Sequence, residues 1–242
     1  MDSVVRGVHD APPQPLGDYV RRILFSPALG NSSYLRMAAV TAAAGARSVP
    51  HSHHGNEGIF TWQGAAVFEI AGREYPVRSG QALLIPPDTV HPARIASAEP
   101  WVAVCFYCNE CPALAAYLAA GGSGKGEQPA VVGVADVQPE LLGQLRRRIL
   151  FSPSRDGVSF MRIGHVEGPA GARGAGHKHL GNECVFTLAG QATVTIAGEP
   201  HVMDAGQGMS IPPDTEHPLA VTSAEGWTGI AAYCDECPAL RW

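Results

Sequence analysis

Apolar and polar residues alternate along this chain in short runs, most of them stopped by glycine or proline. Ala66–Val77 and Ala192–Met203 each read as strand, tight turn, strand, with Ala-Gly at the turn. Ala82–Pro87 and Gly208–Pro213 are short apolar strands ended by paired prolines, which cannot donate to a sheet ladder. Trp101–Cys108 and Trp227–Cys234 form the last long strands. Leu16–Phe25 and Leu141–Phe151 are amphipathic and are expected to form a helix or an arm packed on the body. The pattern predicts an all-β protein, a sandwich or a small closed barrel, with short helical segments.

The pattern also occurs twice. RRILFSP stands at Arg21–Pro27 and again at Arg147–Pro153, PPDTVHP at Pro86–Pro92 returns as PPDTEHP at Pro212–Pro218, and YCNECPAL at Tyr107–Leu114 returns as YCDECPAL at Tyr233–Leu240. All three pairs are offset by 126 residues, so one domain was duplicated with its spacing preserved. A Gly- and Ser-rich stretch marks the join. The expected organisation is one domain at 1–120, a linker at 121–129 and a second domain at 130–242.

Composition narrows the function. The 242 residues are enough for two ordinary cores, and 28 glycines with 20 prolines suit turns and short strands rather than long helices. A net charge of −5 gives no footprint for nucleic acid. No apolar run approaches a membrane span, and the N-terminus lacks a signal-peptide pattern, so a cytoplasmic protein with reduced thiols is expected.

The distinctive chemistry lies in the histidines. His51-Ser-His53 is followed by Glu57, and His177-Lys-His179 by Glu183. On a strand, residues two apart share a face, so each H-x-H pair aims two imidazoles into one space. Gly55-Asn56 and Gly181-Asn182 supply a bend that lets the glutamate turn back toward them. His91 and His217 follow at the end of a later hairpin. Three imidazoles and a carboxylate suit Fe, Mn, Ni, Cu or Zn. Four protein donors leave two positions open on an octahedral ion, as a catalytic metal requires.

H-x-H-x3-E-x6-G followed by G-x5-P-x4-H resembles the two signature motifs of the cupin superfamily, and their repetition resembles a bicupin. The resemblance implies two conical (jelly-roll) barrels with metal ligands His51, His53, Glu57 and His91, then His177, His179, Glu183 and His217. The chain departs from the motif at Asp88 and Asp214, where glycine is usual, which touches the turn rather than the ligands. Among cupins, dioxygenases with an Fe(II) site of this type are a large group. The resemblance implies such an enzyme acting on a small molecule, with Glu57 or Glu183 able to leave the metal and act as a base. A retained glutamate argues against the three-histidine thiol dioxygenases. A Lewis-acid isomerase, lyase or hydrolase is the second enzymatic reading, and a binding module for a sugar or similar ligand is the third.

The repeats differ near the motif. His54, Gly58 and Trp62 correspond to Leu180, Cys184 and Leu188, which favours the first domain as the catalytic copy. Arg36 and Arg162 are candidates to clamp a substrate carboxylate, with Trp62 stacking on substrate. The pairs Cys108/Cys111 and Cys234/Cys237 could meet as a four-thiolate structural zinc site, within the chain or across a homodimer interface. They could otherwise act as redox dithiols, or be partly buried thiols at a strand end.

Overall fold

The computed structural model describes residues 4–123, 128–154 and 160–241. The first repeat supplies β1 (Val4–Gly7), β2 (Gln14–Leu16), β3 (Tyr19–Phe25), β4 (Arg36–Ala42), β5 (Glu57–Gln63), β6 (Ala65–Ile70), β7 (Arg73–Arg78), β8 (Gln81–Ile85), β9 (Ala93–Ile95), β10 (Trp101–Tyr107) and helix α1 (Pro112–Ala119). The second supplies β11 (Ala130–Gly133), β12 (Glu140–Leu142), β13 (Leu145–Phe151), β14 (Arg162–Gly168), β15 (Glu183–Ile196), β16 (Glu199–Asp204), β17 (Gln207–Ile211), β18 (Leu219–Val221), β19 (Trp227–Tyr233) and helix α2 (Pro238–Arg241).

In the first half, the large sheet runs β11-β8-β5-β10-β4-β3-β2 and faces a small sheet, β7-β6-β9. The second half repeats this as β1-β17-β15-β19-β14-β13-β12, with β16 and β18 on the far end of β15. β15 spans the equivalents of both β5 and β6. The bend between those two parts falls at Gly64 and Gly190, both left-handed (φ 76° and 72°). A Cβ on Gly190 would come within 1.9 Å of the Gly226 carbonyl oxygen, so only glycine fits there.

The amphipathic stretches are hairpins, not helices. β2 pairs with β3 and β12 with β13 through two-residue turns at Gly17 and Gly143, whose positive φ suits glycine. The Ala71-Gly72 and Ala197-Gly198 turns close β6–β7 and β15–β16, with positive φ at both central residues.

The repeats exchange strands. β1 pairs with β17, Val4 opposite Ser210, and β11 pairs with β8, Ala130 opposite Leu84. Of the expected linker, residues 124–127 lie outside the described residues. Three apolar clusters follow: one inside each barrel, and a third between the large sheets that includes Leu24, Phe25, Phe60, Phe106, Phe151, Phe160, Phe186 and Ile230.

Candidate metal centres

Each H-x-H pair sits on an extended segment just before β5 or β15, outside the regular strands where alternation had placed it. Backbone hydrogen bonds tie that segment to the loop carrying the third histidine. Asp88 N–H donates to His53 O (2.6 Å) and His91 N–H to His51 O (3.1 Å); Asp214 and His217 do the same to His179 (2.8 Å) and His177 (3.0 Å). Asp88 and Asp214 hold left-handed backbone (φ 55° and 56°), a conformation that aspartate tolerates better than most residues. The departure from the usual glycine therefore preserves the turn.

In each repeat the four ligand atoms lie within 4.8 Å of one another. Glu57 Oε2 is 3.2 Å from His53 Nε2 and 2.9 Å from His91 Nε2, and Glu183 Oε2 is 3.0 Å from His179 Nε2 and 2.9 Å from His217 Nε2. These six atoms are buried and, among the described residues, have no hydrogen-bonding partner outside their cluster. Buried polar atoms left this way are costly unless something else engages them. Tautomers are set from behind: Nδ1 of His51, His91, His177 and His217 contacts the carbonyls of Val49, Thr89, Ala175 and Thr215 at 2.7–3.1 Å, leaving each Nε2 as the metal-facing nitrogen. Burial works against ionisation of Glu57 and Glu183, but contact with two imidazoles outweighs it and holds both carboxyls well below the usual range. Burial pushes His51 and His177 down, toward the neutral form that binds metal. The donor set therefore fits a divalent transition ion in both repeats.

A family model, the cupin domain, matches residues 38–107 and again 164–227, more than half the chain. The chain belongs to the cupin domain family. Among solved structures it is similar to a variant of the oxalate decarboxylase OxdC of Bacillus subtilis, at 14% identity and TM-score 0.77, covering 96% of this chain and 77% of that one. It is similarly close to protein Ylba of E. coli, at 12% identity and TM-score 0.77, covering 96% and 90%. At such identities the likeness is one of fold. No curated protein matches the sequence. No helix among the described residues is long and apolar enough to cross a membrane.

The other candidates of this bicupin fall elsewhere. Arg36 and Arg162 lie over the rings of Tyr107 and Tyr233 and pair with Glu110 and Glu236, the acidic residues inside the two C-x-x-C turns. They brace those turns. Gly58 and Trp62 are on the opposite face of β5 from Glu57: a Cβ on Gly58 would meet Ile163, and Trp62 packs edge-on against Phe186 at 5.6 Å. His54 is exposed and contacts Asp88 at 2.8 Å. The three differences that favoured the first domain as catalytic thus do not face its metal site.

Cys108, Cys111, Cys234 and Cys237 are buried together in the layer between the repeats. Among the described residues only the two His/Glu groups bring three or more ligand atoms within 4.8 Å, so the cysteines do not close into a third. Burial pushes the Cys111 thiol up to about 11 and Cys237 to about 12, unfavourable for thiolate chemistry. A Cβ on Gly55 would come within 2.6 Å of Cys108 Cβ, and one on Gly181 within 2.7 Å of Cys234 Cβ. The cysteines thus pack under the metal-binding loops.

Two features escaped the sequence reading. Asn56 and Asn182, next to the ligand glutamates, reach into the other repeat: Asn56 Oδ1 accepts from Phe160 N–H (2.9 Å), and Asn182 Oδ1 from Tyr34 N–H (2.8 Å) and Leu35 N–H (3.2 Å). Their paired occurrence after glycine in both motifs was the available signal. Arg147, not Arg162, lines the second cavity beside His177, Glu183 and His217. It follows Leu145 by two, the spacing that shares a strand face.

Proposed function

We propose that this bicupin is a metal-dependent enzyme acting on a small organic molecule. The observation that carries the reading is the pair of buried three-histidine, one-glutamate clusters whose ligand atoms converge with no partner outside. His51, His53, Glu57 and His91 would hold one ion, and His177, His179, Glu183 and His217 the other. A bound ion of this kind supplies Lewis acidity and, if it is Fe(II), access to O₂. The protein's own part is to hold three imidazoles and an ionised carboxylate in one cluster and to exclude water with apolar walls.

An oxygenase reaction on Fe(II) is the leading form. Lewis-acid chemistry without O₂ is the second, favoured by similarity in fold to oxalate decarboxylase, for which Mn(II) centres are described. Metal analysis of the purified protein followed by oxygen uptake with candidate substrates separates them. O₂ consumed with turnover supports the oxygenase, turnover without O₂ the Lewis acid, and metal without turnover a binding protein. Glu57→Ala combined with Glu183→Ala should abolish activity; full activity in that variant ends the metal-centred reading.

A further inference from the structure

The two repeats match in metal ligands but not in the space beside them. The cavity next to His177, Glu183 and His217 has a water-accessible volume of about 40 Å³, against about 20 Å³ next to His51, Glu57 and His91. The cause is visible in matched positions. Tyr19, Phe68 and Cys105 wall the first cavity where Leu145, Val194 and Ala231 wall the second. In the first repeat Trp101 packs between Tyr19 (5.8 Å) and Phe68 (6.1 Å), an aromatic plug over the metal ligands. In the second, Trp227 has lost both ring partners. Its ring lies over Gly229, where a Cβ would come within 2.4 Å of it; the matched residue, Ala103, carries that methyl group.

The second cavity also has a charge the first lacks. Arg147 lines it, whereas the matched Arg21 is not part of the first cavity's wall. Glu140 Oε1 takes Arg147 Nε (2.9 Å) and one terminal nitrogen (2.8 Å), leaving the other terminal nitrogen uncommitted among the described residues. The remaining wall away from the ligands is almost wholly apolar.

We propose that the second repeat is the substrate site, that it takes a small apolar molecule bearing a carboxylate which pairs with Arg147, and that the space beside the first repeat's metal centre, filled by aromatic side chains, is too small for it. This rests on the metal-dependent reading above and names its substrate class and working copy.

The test uses full-length protein loaded with Mn(II) and benzoate as the probe, read by paramagnetic relaxation of the benzoate protons. Wild type should bind two manganese per chain and relax benzoate strongly. Leu145→Tyr with Val194→Phe, which copies the plug, should cut that relaxation at least about tenfold with manganese unchanged; Gly229→Ala, a smaller change, should cut it in the same direction. Arg147→Gln should weaken benzoate about tenfold, the size expected for one charge-assisted hydrogen bond, and leave benzyl alcohol unaffected. Relaxation that survives both filling variants overturns the proposal, as does equal weakening of benzoate and benzyl alcohol by Arg147→Gln. Two manganese bound with no benzoate relaxation overturns this inference alone, whereas binding of none of Mn(II), Fe(II), Ni(II), Cu(II) or Zn(II) overturns the metal-dependent reading.

Discussion

Replacing Asn182 with alanine should destabilise the whole molecule, although Asn182 touches neither the barrel core nor solvent. The side chain is fully buried. Its oxygen accepts from the backbone N–H of Tyr34 at 2.8 Å and of Leu35 at 3.2 Å, and its nitrogen donates to Ser32 Oγ at 3.0 Å. Alanine leaves both backbone donors without an acceptor, at about 1–3 kcal/mol each, so a loss of about 2–6 kcal/mol is expected. Asn56 makes only one strong bond of this kind, to Phe160 N–H, so Asn56→Ala should cost about 1–3 kcal/mol. Because a domain of ordinary stability has only about 5–15 kcal/mol in hand, the first change is a large fraction of the total. Urea unfolding of the metal-free proteins, followed by tryptophan fluorescence, measures both, with Trp62 reporting from the layer between the repeats. A loss below about 1 kcal/mol for Asn182→Ala, or one smaller than that of Asn56→Ala, would refute the reasoning.

His165 lies in the same layer, near Phe60, and burial depresses it to about 4. Its ordinary value is about 6.5, so between these values the unfolded chain binds a proton that the folded chain refuses. The associated stability is present above about pH 6.5 and lost as pH falls through about 4, up to about 3 kcal/mol. The stability difference between wild type and His165→Leu, both metal-free, should shift by that amount over this window; a flat difference would count against it. Cys111→Ser should leave the metal content per chain unchanged, since the cysteines form no ligand group. Loss of one zinc for every two C-x-x-C pairs would restore the four-thiolate site.

The duplication and the ligands were legible because their signals are chemical and local. An H-x-H pair, a glutamate four residues on and a later histidine form a spacing that few other needs produce. What the chain concealed depends on partners distant in sequence. β1 and β11 are four-residue strands that read the same whichever sheet they join, and the exchange places Val4 opposite Ser210. Leu16–Phe25 looked amphipathic, and the turn at Gly17 decides hairpin over helix. Strand parity from Glu57 puts positions 58 and 62 on the far face, whereas their nearness to the motif had counted that face among the surroundings of the metal. It meets the other repeat instead, where Gly58 makes room for Ile163. Parity also hid the working arginine: Arg36 and Arg162 sit on strands whose inward face had no anchor in the sequence, while Arg147 shares its face with Leu145.

β5 and β15 therefore each serve two structures at once. Glu57, Ile59 and Thr61 point into a barrel, and Gly58, Phe60 and Trp62 point into the shared layer. This bears on why a plugged first repeat would keep a full ligand set. Its buried ligand atoms, on His53, Glu57 and His91, have no partner outside the cluster. Removing the ion would leave a carboxylate and imidazoles in an apolar barrel, which costs far more than an empty surface site. Removing the ligands one at a time would strand those that remain. Since the same strand carries the inter-repeat layer, a first site that relaxed to escape this cost would shift Phe60 and Trp62 against Phe186 and so disturb the second repeat. Retention of His53, Glu57 and His91 follows from the burial of their ligand atoms. It is no evidence that the first repeat turns over substrate, and the cavity walls, not the ligands, distinguish the two copies.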